Sequence, residues 1–340
     1  MQTLWKRLAP VGSLLSMGTV RRSTTPCTRR LECVAYARTG LLFASLTLTF
    51  ACSSAGSQRP TAPVNEGDAV ELVFLDVGQG DAILIRSPEG KVALIDGGRN
   101  GVAEQLQRHD VNSIDLAVAS HAHADHIGGM EEVILTFPVS YYMDNGLPHT
   151  TATYQALMNA LQASDVIYLE ASARTIELGS VLIRVLESPA CGTDQNNCSI
   201  GLVIQFDEFK ALLTGDSEVE EINHFLQVGV PDVVVLKAAH HGSRNGVTPA
   251  WLSATRPEVV VISCGLNNQY GHPDSWALQY YEATADHVYR TDWHGEVTIR
   301  GFSDGRYDVS SARVATFGHR NGAIVTPFQG VSTTAAATDE

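Results

Sequence analysis

From residue 69 onward, apolar residues fall in short runs separated by Gly, Asp and Asn. Brief apolar runs between turn formers predict strands, and apolar positions recurring every three to four residues predict helices. Segments 70–75, 82–85 and 92–95 therefore read as three successive strands, and 116–119 as a fourth that ends directly at a histidine cluster. Helices are expected at 127–135 and 154–161, with strands near 166–169 and 181–186. A second series follows, with strands 200–206 and 211–213, helix 218–226, strand 233–236, helix 249–254, strand 259–262, helix 275–283, and strands 287–289 and 296–299. Strand-rich halves with helices between them predict sheets covered by helices, an α/β layered architecture. Polar residues gather where the strands end, which is where such folds place ligand sites.

Before residue 53 the pattern is different. Seven basic residues (Lys6, Arg7, Arg21, Arg22, Arg29, Arg30, Arg38) face one acid, Glu32, and an apolar stretch at 41–51 runs into Cys52 and small residues. A basic flank, a brief apolar core and small residues at its end read as an export signal, too short to span a bilayer. Thr49-Phe50-Ala51-Cys52 is similar to a bacterial lipoprotein processing site, in which the cysteine is lipidated. Ordinary signal cleavage and an uncleaved anchor are the competing readings. The expected divisions are an export signal at 1–52, a linker at 53–68, one domain at 69–310 and a partly disordered C-terminal extension at 311–340. The expected location is extracytoplasmic: periplasmic, secreted, or held at a membrane through lipidated Cys52.

Charge sharpens once that segment is set aside. Of 23 basic and 37 acidic residues, seven and one lie in the first 52, so the remainder carries 16 against 36, a net −20. Such a surface repels polyanions at long range and argues against tight, sequence-independent binding of duplex DNA. Cys27, Cys33 and Cys52 belong to the export region, while Cys191 and Cys198 bracket a short polar loop. In an oxidising compartment that pair forms one small bridge, with a Cys/Cys metal pair as the alternative. Cys264 follows an apolar strand and reads as a buried free thiol.

Nine of the twelve histidines lie between His109 and His272. The densest group is Ser120-His121-Ala122-His123-Ala124-Asp125-His126-Ile127-Gly128-Gly129. Imidazole and carboxylate are the ligands preferred by borderline divalent metals such as zinc. Four such groups within six residues, in a loop between strand and helix, can fan out toward two adjacent ions. No serine–base pair with a recognisable spacing competes with them.

This pattern resembles the metallo-β-lactamase superfamily, whose signature is His-x-His-x-Asp-His after a core strand. Further segments resemble one branch of it: Phe74-Leu75-Asp76-Val77-Gly78-Gln79-Gly80-Asp81-Ala82, Leu94-Ile95-Asp96-Gly97-Gly98, Leu212-Leu213-Thr214-Gly215-Asp216, Leu236-Lys237-Ala238-Ala239-His240-His241-Gly242-Ser243, Tyr270-Gly271-His272-Pro273 and Tyr289-Arg290-Thr291-Asp292. That branch includes the C-terminal hydrolase domain of ComEC competence proteins and extracellular phosphorylcholine esterases. The resemblance implies an αββα sandwich of two mixed sheets flanked by helices, holding two divalent ions, zinc with manganese as the alternative. His121 and His123 would hold the first ion, Asp125 and His126 the second, and Asp216 would bridge them. The last ligand falls to His240 or His241. His240 is favoured because it comes first after its strand, which leaves His241 to contact substrate. His272 would stand at the mouth as a phosphate contact or oxyanion donor. Catalytic roles are expected for Asp125, His241 and His272. Many members of the superfamily supply a further histidine where this chain has Asn196-Asn197-Cys198-Ser199, so the first ion is expected to be loosely held. Asp76, Gln79, Asp81 and Asp96 have two readings, as partners that orient ligand imidazoles or as turn residues beside glycines.

The implied reaction is hydrolysis by a metal-bridging water whose pKa is lowered to about 7. The expected substrate is a phosphodiester, either a small or surface-bound ester or DNA. Amide or thioester hydrolysis and a non-catalytic DNA-binding surface module are the alternatives.

Overall fold

The computed structural model describes residues 68–314. The expected export signal with Cys52, the linker before residue 68 and the extension beyond 314 lie outside those residues. In chain order the strands are β1 (Ala69–Phe74), β2 (Ile83–Arg86), β3 (Val92–Ile95), β4 (Ile114–Val118), β5 (Val139–Asp144), β6 (Ile167–Glu170), β7 (Arg174–Leu178) and β8 (Val181–Val185), then β9 (Leu202–Phe206), β10 (Phe209–Leu213), β11 (Val235–Lys237), β12 (Val259–Ile262), β13 (His287–Arg290), β14 (Val297–Phe302) and β15 (Tyr307–Ser311). The helices are α1 (Val102–Arg108), α2 (Ala124–Ile127), α3 (Met130–Thr136), α4 (Ala152–Ala163), α5 (Val219–Val228), α6 (Pro249–Thr255), α7 (Ser275–Thr284) and α8 (Thr291–His294).

One sheet has the order β15-β14-β1-β2-β3-β4-β5-β6 and the other β13-β12-β11-β10-β9-β8-β7. Both are mixed. In the first, β3 to β6 run parallel, and in the second β10 to β13 do. The alternation of side chains along a strand explains the layering. Along β1, Val70, Leu72 and Phe74 enter a core shared with Ile183, Ile204 and Val259 of the second sheet. Val73 and Leu75 face the other way and pack with Leu106, Val133 and Leu157 of α1, α3 and α4. The outer face of the second sheet is covered likewise, with Leu212, Leu236 and Val260 packed against Phe225, Trp251 and Tyr281 of α5, α6 and α7. Each sheet thus buries both faces, giving helix, sheet, sheet and helix in four layers. Among the described residues, no helix is long and apolar enough to cross a membrane.

The helix expected at 127–135 is interrupted, since α2 ends at Ile127 and α3 starts at Met130. Gly128 lies at this junction: a Cβ there would lie 2.3 Å from the Arg99 carbonyl oxygen, so only glycine allows the backbones to meet. Cys191 and Cys198 are joined in a disulfide, and Cys264 is a buried free thiol.

Candidate metal centre

Parallel strands point their C-terminal ends in one direction, so the loops that follow them converge. Asp96 follows β3, His121 to His126 follow β4, Asp216 follows β10, and His240 and His241 follow β11. The loop after β1 brings in Asp81, whose N–H donates to the Asp125 carbonyl oxygen at 3.1 Å. Both sheets therefore contribute to one polar cluster beneath the surface.

His126 and His241 are fixed through Nδ1, leaving Nε2 turned to the centre, whereas both ring nitrogens of His121 have polar neighbours. His126 Nδ1 donates to Asp96 Oδ2 at 2.8 Å. His241 Nδ1 donates to the Ser263 carbonyl oxygen at 2.9 Å and lies 3.3 Å from Asp81 Oδ1. His121 Nδ1 faces Ser120 Oγ at 3.1 Å, and its Nε2 lies 3.0 Å from His123 Nδ1. Asp216 stands among these rings, with Oδ1 at 3.2 Å from His126 Nε2 and Oδ2 at 3.5 Å from His241 Nε2 and 4.0 Å from His121 Nε2. Asp125 Oδ2 is 3.7 Å from His241 Nε2.

These residues fit divalent metals. His126 Nε2, His241 Nε2 and Asp216 Oδ1 are buried atoms with no hydrogen-bond partner, which is costly unless a cation satisfies them. Two ligand groups whose atoms lie within 4.8 Å of one another are His121–His126–Asp216 and Asp125–His126–His241. Further groups draw in Asp81 with Asp96 and His126, or with Asp216 and His241. Imidazole with carboxylate suits zinc, and manganese accepts the same donors.

Electrostatics ties the cluster together. Burial disfavours the charged form of Asp216, but His126 and His241 hold it well below the usual carboxylate range. Burial opposes protonation of His241, yet Asp216 and Asp81 outweigh it and raise its pKa to about 9. Burial also works against ionised Asp81, whereas Lys237, His241 and His126 hold it at about 2. Burial and the charge of His126 push His121 well down, outweighing the attraction of Asp216.

The expected residues do not all converge. Among the described residues His123 lies outside these ligand groups, and so does His240. Its ring is partly exposed, with Nδ1 3.3 Å from Glu218 Oε1 and Nε2 3.8 Å from Asp216 Oδ2. An extended backbone would point consecutive side chains opposite ways, but His240 (φ 49°, ψ 48°) and His241 (φ 54°, ψ 26°) are both left-handed. That conformation is strained for residues with a Cβ, and it drives the second histidine inward instead of the first. His272 is half-buried, 5.6 Å from His240 between ring centroids, and its Nδ1 is buried without a partner. Asp81 and Asp96 contact the imidazoles, while Gln79 accepts from the Gly265 N–H at 3.0 Å and Asp76 pairs with Arg313 at 2.7 Å. Asp76 and Gln79 serve loop structure.

Sequence reasoning gave no role to Lys237. It is fully buried at the end of β11, ion-paired with Asp81, and donates to the Gly215 carbonyl oxygen at 2.9 Å. The signal was a lone lysine closing the apolar run Val233-Val234-Val235-Leu236. Ser199, in the stretch without the further histidine, accepts from the Asp216 N–H at 3.1 Å and so braces that aspartate.

The metallo-β-lactamase superfamily model matches residues 75–265, more than half of the chain. The chain belongs to the metallo-β-lactamase superfamily. It is 25% identical over 255 residues to ComE operon protein 3 of Bacillus subtilis, a match taking in 68% of this chain and 33% of that one. It is 28% identical over 269 residues to competence protein ComA of Neisseria gonorrhoeae, covering 77% and 36% respectively. The chain thus spans about a third of the length of these curated relatives. Among solved structures it is similar to Igni18, a metallo hydrolase from Ignicoccus hospitalis, with a TM-score of 0.46, 19% identity, and 68% of this chain and 98% of that one covered. It has the metallo-β-lactamase fold and is related in sequence to competence proteins over about a third of their length.

Proposed function

We propose that the chain is an extracytoplasmic phosphodiesterase working with two divalent ions. The observation supporting this reading is the placement of Asp216, whose Oδ1 lies 3.2 Å from His126 Nε2 and whose Oδ2 lies 4.0 Å from His121 Nε2. A carboxylate shared in this way suits paired ions, and paired ions suit in-line displacement at phosphorus, where entering and leaving oxygens both need stabilising. His121, His123 and Asp216 would hold one ion, and Asp125, His126, His241 and Asp216 the other. Bound ions would supply Lewis acidity and an acidified water.

The roles expected for the two adjacent histidines are exchanged in this reading. His241 is the ligand because it is 2% exposed and aims Nε2 between Asp125 and Asp216. His240 and His272 face substrate at the mouth. Burial lowers the pKa of His272, so its ring is neutral near pH 7 and donates one hydrogen bond to a phosphoryl oxygen. Asp96, Ser263 and Asp81 keep the ligand rings in one tautomer and orientation, which the chemistry needs throughout turnover.

The test is turnover by the metal-loaded protein of bis-p-nitrophenyl phosphate, single-stranded DNA, nitrocefin and a thioester. Diester hydrolysis lost in Asp216→Ala supports the reading. Nitrocefin or thioester turnover without diester hydrolysis overturns it. Export through residues 1–52 is part of the same proposal. Labelled palmitate entering the wild type but not Cys52→Ala would support lipid attachment, and a cytoplasmic product would refute export.

A further inference from the structure

A cavity of about 460 Å³ opens beside His123, outside the ligand groups described above. One wall is the segment Leu147–Thr150, and the other is Thr193–Asn196, inside the loop closed by the Cys191–Cys198 disulfide. The second wall is tied to the metal centre, since the Ala122 N–H donates to Gln195 Oε1 at 3.3 Å. The volume falls within the range of small-molecule sites, large enough for a head group and too small for a polymer.

The lining has a definite chemistry. It contains no lysine or arginine, and its formal charge is the Asp194 carboxylate. Asp194 is fixed by accepting from the N–H groups of Asn196 and Asn197 at 3.1 and 3.2 Å. Asn196 directs its Nδ2 to Glu218 Oε1 at 2.9 Å, and its Oδ1 is a buried acceptor with no partner. Glu218 adds a second negative charge behind this wall. Arg99 stands apart from the cavity lining, with Asp125 at 3.9 Å and Tyr270 at 3.4 Å. The lining is therefore formally negative and offers hydroxyl, amide and carboxylate acceptors beside the His123 and His149 rings, next to a centre suited to bind a phosphate.

We propose that this cavity is the subsite for one arm of the substrate, a small uncharged or cationic group bearing hydrogen-bond donors, such as a polyol or an aminoalcohol. This rests on the phosphodiesterase reading, in which the phosphate sits at the metal centre. An arm with a second phosphate meets Asp194 and Glu218 without a counter-charge and is disfavoured. Hydroxyl or ammonium donors find acceptors in the Asp194 carboxylate and the Thr150 and Thr193 hydroxyls of the lining.

Calorimetric titration of the metal-loaded full chain with three monoesters tests the subsite: glycerol 1-phosphate, O-phosphoethanolamine and glycerol 1,3-bisphosphate. The first two are expected to bind about tenfold more tightly than the bisphosphate. In Thr193→Lys, which puts a cation in the lining, the order should invert. In Asp194→Asn, which keeps the acceptor and removes the charge, the gap should narrow. Equal affinities in the wild type, or an order unmoved in both variants, overturn the subsite. Turnover of bis-p-nitrophenyl phosphate is read separately. Its absence with the binding order intact refutes the reaction class alone, and its presence with equal affinities refutes the subsite alone.

Discussion

His126 donates through Nδ1 to Asp96 Oδ2 across 2.8 Å, with neither side chain more than 2% exposed. Asp96 also accepts from the N–H and Oγ of Ser120, at 2.7 and 2.8 Å, so it cannot swing away. A carboxylate held in this way fixes which ring nitrogen of His126 is left for a metal. Asp96→Asn should keep the fold and weaken metal affinity by roughly 10- to 100-fold, the usual cost of removing such a partner. Chelator competition on the two proteins checks this. Equal affinities would show that Ser120 alone sets the ring.

The adjacent histidines give a sharper contrast. His241→Ala should lose metal, because Nε2 of His241 lies between Asp125 and Asp216. His240→Ala should retain metal and lose diester turnover, by about 100-fold if the ring donates to the phosphoryl group. Elemental analysis and turnover on the same preparations decide it. Metal loss confined to His240→Ala would restore the opposite assignment.

Much of the layering was legible from the chain, because periodicity reports burial directly. The strands around the inter-sheet core alternate or run continuously apolar, as Val70-Leu72-Phe74 and Val259–Ile262 do. What was missed lacked that signature. Along β5, Ser140 and Tyr141 are exposed side by side, so strict alternation fails. Most of β15 is polar, since it is the edge strand of its sheet. α1 is preceded by Gly101 at its N-cap, with no side-chain cap, leaving no start signal to read. At the site, residue types and spacing indicated the cluster, but which of His240 and His241 turns inward depends on two left-handed residues in a row. Side-chain pattern carries no information about that.

Lys237 and Asp81 form a buried ion pair, so removing the lysine leaves a buried carboxylate with only His241 and His126 beside it. Lys237→Met should lower unfolding stability by about 3–5 kcal/mol. Adding Asp81→Asn should recover part of the loss, since the stranded carboxylate is then neutral. Urea midpoints for the three proteins test this, and an unchanged midpoint in Lys237→Met would show that the pair is energetically idle.

Glu221 is fully buried, accepting from Ser217 Oγ at 2.7 Å and the Ser199 N–H at 3.2 Å. Burial pushes its pKa from 4.5 to about 8. Between those values the folded chain holds a proton that the unfolded chain has released. Its contribution is therefore full below pH 4.5 and is lost as pH rises toward 8, on the order of a few kcal/mol. Glu221→Gln should flatten this fall, because the amide does not ionise. Denaturant titrations at pH 5 and pH 8 measure it, and identical slopes in both proteins would rule it out.

The register of the first sheet bears on how the protein can be immobilised. Phe74 pairs with Val297, and Val297 with Ser311, so β15 ends level with the end of β1 that leads toward Asp81. Arg313 then reaches Asp76 in that loop at 2.7 Å. Ala69 lies at the other end of β1, six residues and roughly 20 Å away. A bead or fluorophore coupled just before residue 69 would leave the approach to the buried cluster clear. The same label fused after Val314 would begin at its rim and compete with arriving molecules for space.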